Sequence, residues 1–195
     1  MTGQPDTQRV AALVTDGFEQ VELFEPMRAL ENAQVRVDIV SPETTTVRGW
    51  NHTEWGDEVS VARTLDQARA DDYDALLLPG GVMNPDHLRM NPKAVAFVKQ
   101  FFEDGKPIGV ICHGAWTLVE ADVVRGVTMT SYPSLKTDLR NAGAIWIDRD
   151  VVVDRGIVSS RRPEDLPAFI DKVIEEFAEG RHGGDGKRER TRAHA

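Results

Sequence analysis

Lys106-Pro107-Ile108-Gly109-Val110-Ile111-Cys112-His113-Gly114-Ala115-Trp116 carries an apolar run straight into the only cysteine of the chain. Helical spacing begins immediately after it, with Trp116, Leu118 and Val119 apolar. An apolar strand that turns sharply into a helix at a nucleophile is a nucleophile elbow. The turn lifts the sulfur out of the sheet and sets it at a helix N-terminus, where unpaired N–H groups favour a thiolate. A lone cysteine can also be a small apolar residue closing a core strand. The adjacent His113-Gly114 step and the change of period favour the reactive reading.

Outward from that stretch the chain alternates. Arg9–Thr15, Val35–Val40 and Asp74–Leu78 are further strand-like apolar runs, of the kind found in sheets covered on both faces. Between the first two, Val21, Leu23, Phe24, Met27 and Leu30 have helical spacing, with Pro26 marking a start or a bend. Thr44–Val61 is polar, β-branched and Trp-containing, which predicts a small antiparallel excursion, followed by a short helix near Leu65–Ala70. Pro79-Gly80-Gly81 stops the third strand, Val82–Met90 reads as a loop, and Pro92–Glu103 as a helix closed by Gly105. Short strands at 127–130, 144–147, 151–153 and 157–160 follow, with a helix over 134–142 and a last one over 163–179. The pattern predicts an α/β domain with a mainly parallel sheet, whose ligand crevice lies beyond the strand carboxyl ends. Asp16–Glu19, Gly80-Gly81 and Cys112 all sit at such ends and should converge.

That convergence suggests roles. The N–H of His113 and one from the Gly80-Gly81 step would form an oxyanion hole. Glu19 near the sulfur would tune the thiol or move a proton, and His113 is a candidate acid or base. His52, His87, His182 and His194 stand in polar contexts and read as surface. No metal-ligand spacing, phosphate loop or dinucleotide glycine pattern is present, so no metal or cofactor is expected.

The chain has 195 residues, a formal charge of −9 and 41% hydrophobic residues, which fits one soluble domain. One cysteine forbids an internal disulfide and suits a reducing cytoplasm. No apolar stretch is long enough for a membrane span. Residues 1–8 read as a polar N-terminal segment, 9–179 as the domain and 180–195 as a basic tail of charge +3, leaving −12 on the rest. An acidic body of that kind argues against nucleic acid as the main partner.

Gly109-Val110-Ile111-Cys112-His113-Gly114, Leu78-Pro79-Gly80-Gly81 and Phe18-Glu19-Gln20-Val21-Glu22-Leu23 together resemble the ThiJ/PfpI superfamily, and most closely its PfpI-type intracellular proteases. Thr130-Ser131-Tyr132-Pro133, Asn141-Ala142-Gly143-Ala144, Val151-Val152-Val153-Asp154 and Val158-Ser159-Ser160-Arg161 extend the match over 9–179. The resemblance implies a flavodoxin-like three-layer sandwich related to class I glutamine amidotransferases. It implies Cys112 as nucleophile, Glu19 as its carboxyl partner, and Gly81 and His113 as oxyanion donors. It also implies Tyr132 near the pocket and an acid, Asp86, reaching His113 from a neighbouring subunit, hence a homodimer or larger assembly. The family usually has proline after Cys-His-Gly. Ala115-Trp116 stands here, so Trp116 would either reshape the pocket or anchor the elbow helix. The implied activities are stress-related: glyoxalase or deglycase chemistry on small carbonyl or glycated substrates, peptidase activity, or redox sensing through a cysteine sulfenic acid.

Overall fold

The computed structural model describes residues 8–182. Residues 1–7 and most of the expected basic tail lie outside the described residues. The chain runs β1 (Arg9–Leu13), β2 (Phe18–Glu19), α1 (Gln20–Asn32), β3 (Arg36–Ser41), β4 (Thr46–Asn51), β5 (Glu54–Ser60), β6 (Arg63–Thr64) and β7 (Ala75–Leu78). It continues α2 (Met83–Arg89), α3 (Pro92–Glu103), β8 (Ile108–Ile111), α4 (Ala115–Glu120), β9 (Thr128–Met129), α5 (Lys136–Asn141), β10 (Ile145–Trp146), β11 (Val151–Asp154), β12 (Ile157–Ser160) and α6 (Leu166–Glu179).

The main sheet has seven strands in the order β11-β12-β8-β7-β1-β3-β6. All neighbours are parallel except β11 on β12, an edge hairpin. Strand side chains alternate between faces, and here both faces are covered. Ala11, Leu13, Leu76, Leu78, Ile108 and Val110 join one core with Phe97, Phe101 and Leu118 of α3 and α4. Val10, Ala12, Ala75, Leu77 and Ile111 join the other with Leu23 and Leu30 of α1 and Phe169, Val173 and Phe177 of α6. This is why the strands read as unbroken apolar runs, and the result is the expected three-layer α/β sandwich. Each fully buried Leu, Val or Phe contributes roughly 1.5–3 kcal/mol.

Two elements differ from the sequence reading. No helix forms at Leu65–Ala70. The backbone at Arg63 and Thr64 instead pairs with β3 as β6, Gln67 Oε1 accepts the Thr64 N–H (3.2 Å), and a single 3-10 turn follows at Ala70–Asp72. Conversely, the expected loop at 82–90 contains α2. Pro85 lies in its first turn, where a missing N–H costs no intrahelical bond. Pro26 neither starts nor ends α1, which runs from Gln20 through it to Asn32.

Candidate active site

The segments following β1, β7 and β8 meet, and one buried amide ties two of them together. Asn84 of α2 accepts the Thr15 N–H through Oδ1 (2.8 Å) and donates through Nδ2 to the carbonyls of Pro79 (3.0 Å) and Gly80 (3.1 Å). Gly80 and Gly81 are required by close approach. A Cβ on Gly80 would lie 2.7 Å from the Cys112 Cβ, and one on Gly81, whose φ is 75°, would lie 2.4 Å from the Gly17 carbonyl oxygen.

Cys112 itself has φ 61°, a left-handed conformation that L side chains rarely adopt. It follows β8 directly and opens a 3-10 turn through Gly114 into α4, so the elbow is real and strained. Adjacent residues on a regular helix would not face each other, but this turn swings the His113 ring back to the sulfur. Sγ lies 3.2 Å from His113 Nδ1. The backbone N–H groups of His113 and Gly81 also act on the sulfur.

The carboxyl group against the thiol is that of Glu22, not Glu19. Glu22 is fully buried, accepts the Gly80 N–H at Oε2 (2.9 Å) and hydrogen-bonds with Cys112. Burial pushes its pKa up to about 8, against the opposing pull of those two hydrogen bonds. The physical reason for the displacement is helical phase. Glu19 caps α1 at the pocket rim, whereas Glu22 lies one turn in, on the same face as buried Pro26 and Leu30. Glu19 is also pushed up by burial, with His52 beside it pulling the other way.

Cys112 is only 7% exposed, and burial together with the Glu22 charge raises its pKa. The expectation that the elbow favours a thiolate is therefore corrected: burial drives both the sulfur and the Glu22 carboxyl beside it toward their neutral forms. Burial lowers the His113 pKa, so its imidazole is neutral near pH 7. Its Nε2 lies 3.3 Å from Ser134 Oγ, and its Nδ1 faces the sulfur. Tyr132 stacks on the ring at 4.7 Å and Trp116 meets it edge-on at 5.2 Å.

Above the sulfur opens a cavity of about 600 Å³ whose walls include Glu19, Trp50, His52, Gly81, Tyr132 and Arg162. Of the expected residues, Cys112, His113, Gly81, Glu19 and Tyr132 line it. Trp116 does not: its indole N–H donates to Asp138 (2.9 Å), and it buttresses His113 while anchoring α4. Asp86 is exposed on α2, in a separate groove of about 800 Å³ shared with Arg89, Met90 and Glu120, and within one chain it does not approach Cys112. Sequence reasoning missed Glu22, Ser134, His52 and Arg162 as site residues. Away from the site, Glu176, Glu179 and His182 at the end of α6 bring possible metal-ligating atoms within 4.8 Å of one another, with His182 Nε2 2.5 Å from Glu176 Oε1.

Residues 8–176 match the family described as DJ-1/PfpI. The chain belongs to the DJ-1/PfpI family. Among relatives, this DJ-1/PfpI chain is 42% identical over 166 residues to Deglycase PH1704 of Pyrococcus horikoshii, covering 85% of this chain and 97% of that one. It is 39% identical over 164 residues to General stress protein 18 of Bacillus subtilis, covering 83% and 93%. A crystal structure of a two-domain Anabaena variabilis protein with DJ-1/ThiJ/PfpI-like and ferritin-like domains superposes with TM-score 0.83 at 31% identity, over 88% of this chain and 48% of that one. Among the described residues of this family member, no helix is long and apolar enough to cross a membrane.

Proposed function

We propose that this chain is a stress-response hydrolase of PfpI type that acts on small aldehydes or glycation adducts through Cys112. The observation that carries the reading is Cys112 held left-handed at the elbow with a buried carboxyl, an imidazole nitrogen at 3.2 Å and two N–H donors around one sulfur. Relatives named as a deglycase and as a general stress protein support it.

In the proposed sequence His113 Nδ1 takes the thiol proton and Sγ adds to the substrate carbonyl carbon. The carbonyl electron pair becomes an oxyanion between the Gly81 and His113 N–H groups. The protonated Glu22 carboxyl then neutralises that oxygen, and its carboxylate form afterwards accepts a proton from the adduct or from the attacking water. On a 2-oxoaldehyde the Glu22 carboxylate carries the adduct's C–H proton to the neighbouring carbonyl carbon while the hydroxyl proton passes to that carbonyl's oxygen, leaving a thioester on Cys112. Water then cleaves the thioester and gives its proton to Glu22, and the departing thiolate recovers its proton from His113. Each proton is moved by a group already placed at the sulfur. A walled cavity suits a small adduct better than an extended peptide, which favours this reading over a peptidase.

A panel of methylglyoxal, glycated thiols and casein, run on wild type and Cys112→Ala, tests the proposal. Turnover of a small substrate by wild type alone is expected. Turnover of casein alone would replace it with the peptidase reading, and no turnover at all would sink the enzyme. The assembly belongs to the same proposal, because only a second copy could bring Asp86 to His113. A monomer in gel filtration with full activity would remove Asp86 from the mechanism.

A further inference from the structure

Arg161 and Arg162 are neighbours with opposite situations. Arg161 is fully engaged: Nη1 on Asp148 at 2.7 Å, and Nε (2.8 Å) and Nη2 (3.0 Å) on the two carboxylate oxygens of Asp165. Arg162, in extended backbone just before the 3-10 turn that leads into α6, has no ion pair among the described residues. Its Nε is buried without a hydrogen-bond partner, and its side chain lines the Cys112 cavity. A guanidinium carries five N–H donors and no acceptor and is never deprotonated in a protein. A donor left buried and unmatched beside a cavity is costly to the fold, unless something in the cavity completes it.

We propose that Arg162 is the anion-holding residue of the Cys112 cavity, so that the site selects carbonyl or glycated substrates carrying a carboxylate or phosphate. This rests on the reading that substrates meet Cys112 in that cavity. The other titratable carboxyl and imidazole groups on that wall are Glu22, Glu19, Glu164, His52 and His113. Glu22 and Glu19 are driven toward their neutral forms by burial, Glu164 is exposed at the mouth, and His52 stands at the rim beside Glu19. Arg162 is thus the permanent positive charge on the cavity wall. Its planar fork matches two oxygens of an oxyanion at once. An anion held there leaves the rest of the substrate free to present its carbonyl to the sulfur, which gives orientation as well as affinity.

Cys112 is the only cysteine, so the test can be read by mass on intact protein without any turnover. Iodoacetate and iodoacetamide both alkylate a thiolate with loss of iodide and are nearly isosteric, but only the first is an anion. Their rate ratio, normalised to the same ratio for glutathione, cancels any change in the thiol itself. The ratio is expected to fall about tenfold in Arg162→Gln, the loss of one charge-assisted contact, and to fall less in Arg162→Lys. An identical ratio in wild type and Arg162→Gln would overturn the proposal. Where Arg162→Gln fails to fold, wild type alone suffices. At constant ionic strength, acetate or inorganic phosphate should slow its alkylation by iodoacetamide, and the better protector assigns carboxylate or phosphate. Protection by neither overturns the proposal. If wild type turns over none of the panel substrates yet shows the anion preference, the enzyme reading fails and the anion site stands. Turnover with an unchanged ratio has the reverse meaning.

Discussion

Asp38 and Glu22 are both buried carboxyl groups, at opposite ends of the sheet, and they behave in opposite ways. Asp38 lies near the amino ends of the strands and is 3% exposed, yet it is saturated: Arg9 at 2.6 Å, Arg36 at 2.9 Å and the Tyr73 hydroxyl at 3.3 Å. Burial alone would push its pKa up, but the two guanidinium groups outweigh that and hold it below the usual range. Glu22, at the carboxyl ends, has one backbone donor and a thiol, and its Oε1 has no satisfied hydrogen bond among the described residues. Burial wins there. A buried charge with a complete set of partners is part of the scaffold; one with an incomplete set is available for proton transfer.

The sharpest way to break that contrast is at the sulfur. Cys112→Ser should lower turnover of any accepted substrate by about a thousandfold or more, measured as kcat/KM. Retained activity would move the chemistry elsewhere. Next in size, Glu22→Gln keeps the shape but not the exchangeable proton, and kcat should fall by about 10²–10³. Asp38→Ala should do the reverse, costing about 1–3 kcal/mol in urea unfolding while leaving iodoacetamide alkylation of Cys112 at the wild-type rate.

Acid and base arms of the stability curve separate the two groups further. Glu22 is raised from 4.5 to about 8 in the folded protein, so the native state holds the extra proton between those values. Its stabilisation is complete below pH 4.5 and is lost as pH rises toward 8, at no more than about 1.4 kcal/mol per pH unit. Glu22→Gln should flatten that slope. Asp38 is lowered, so its contribution is present above its ordinary pKa and disappears as pH falls through the folded value. Asp38→Asn should flatten only the acid limb. Equal effects of the two variants on both limbs would erase the distinction. The smallest effect is expected from Ser134→Ala, which removes the Nε2 partner of His113 and should slow Cys112 alkylation by about tenfold or less.

The elbow was legible because three cues coincide there: an apolar run, a nucleophile and an immediate change to helical period. The mainly parallel sheet covered on both faces followed from the same alternation. Glu22 was not picked out because three carboxylates, Glu19, Glu22 and Glu25, crowd the start of α1 and local charge does not rank them. The usable signal was phase: Glu22, Pro26 and Leu30 repeat every four residues, which puts a carboxyl in an apolar stripe. The helix α2 was invisible for another reason. It has seven residues, contains Pro85 and is held by the Asn84 contacts rather than by propensity. Of the two roles open to Trp116, it takes the anchoring one: its ring lies edge-on to His113 and its N–H donates to Asp138. The loop that brings Arg162 to the cavity lies fifty residues beyond Cys112, and only tertiary folding joins them.

The Asn84 amide has one more consequence. One side chain fastens Thr15 after β1 to Pro79 and Gly80 after β7. The same loops carry Gly81 and the entry to α1, and the Gly80 N–H to Glu22 bond joins them again, so the proposed oxyanion donor and the base of the Glu22 helix share one fastening. A fault at that fastening would not degrade one catalytic part while sparing the other.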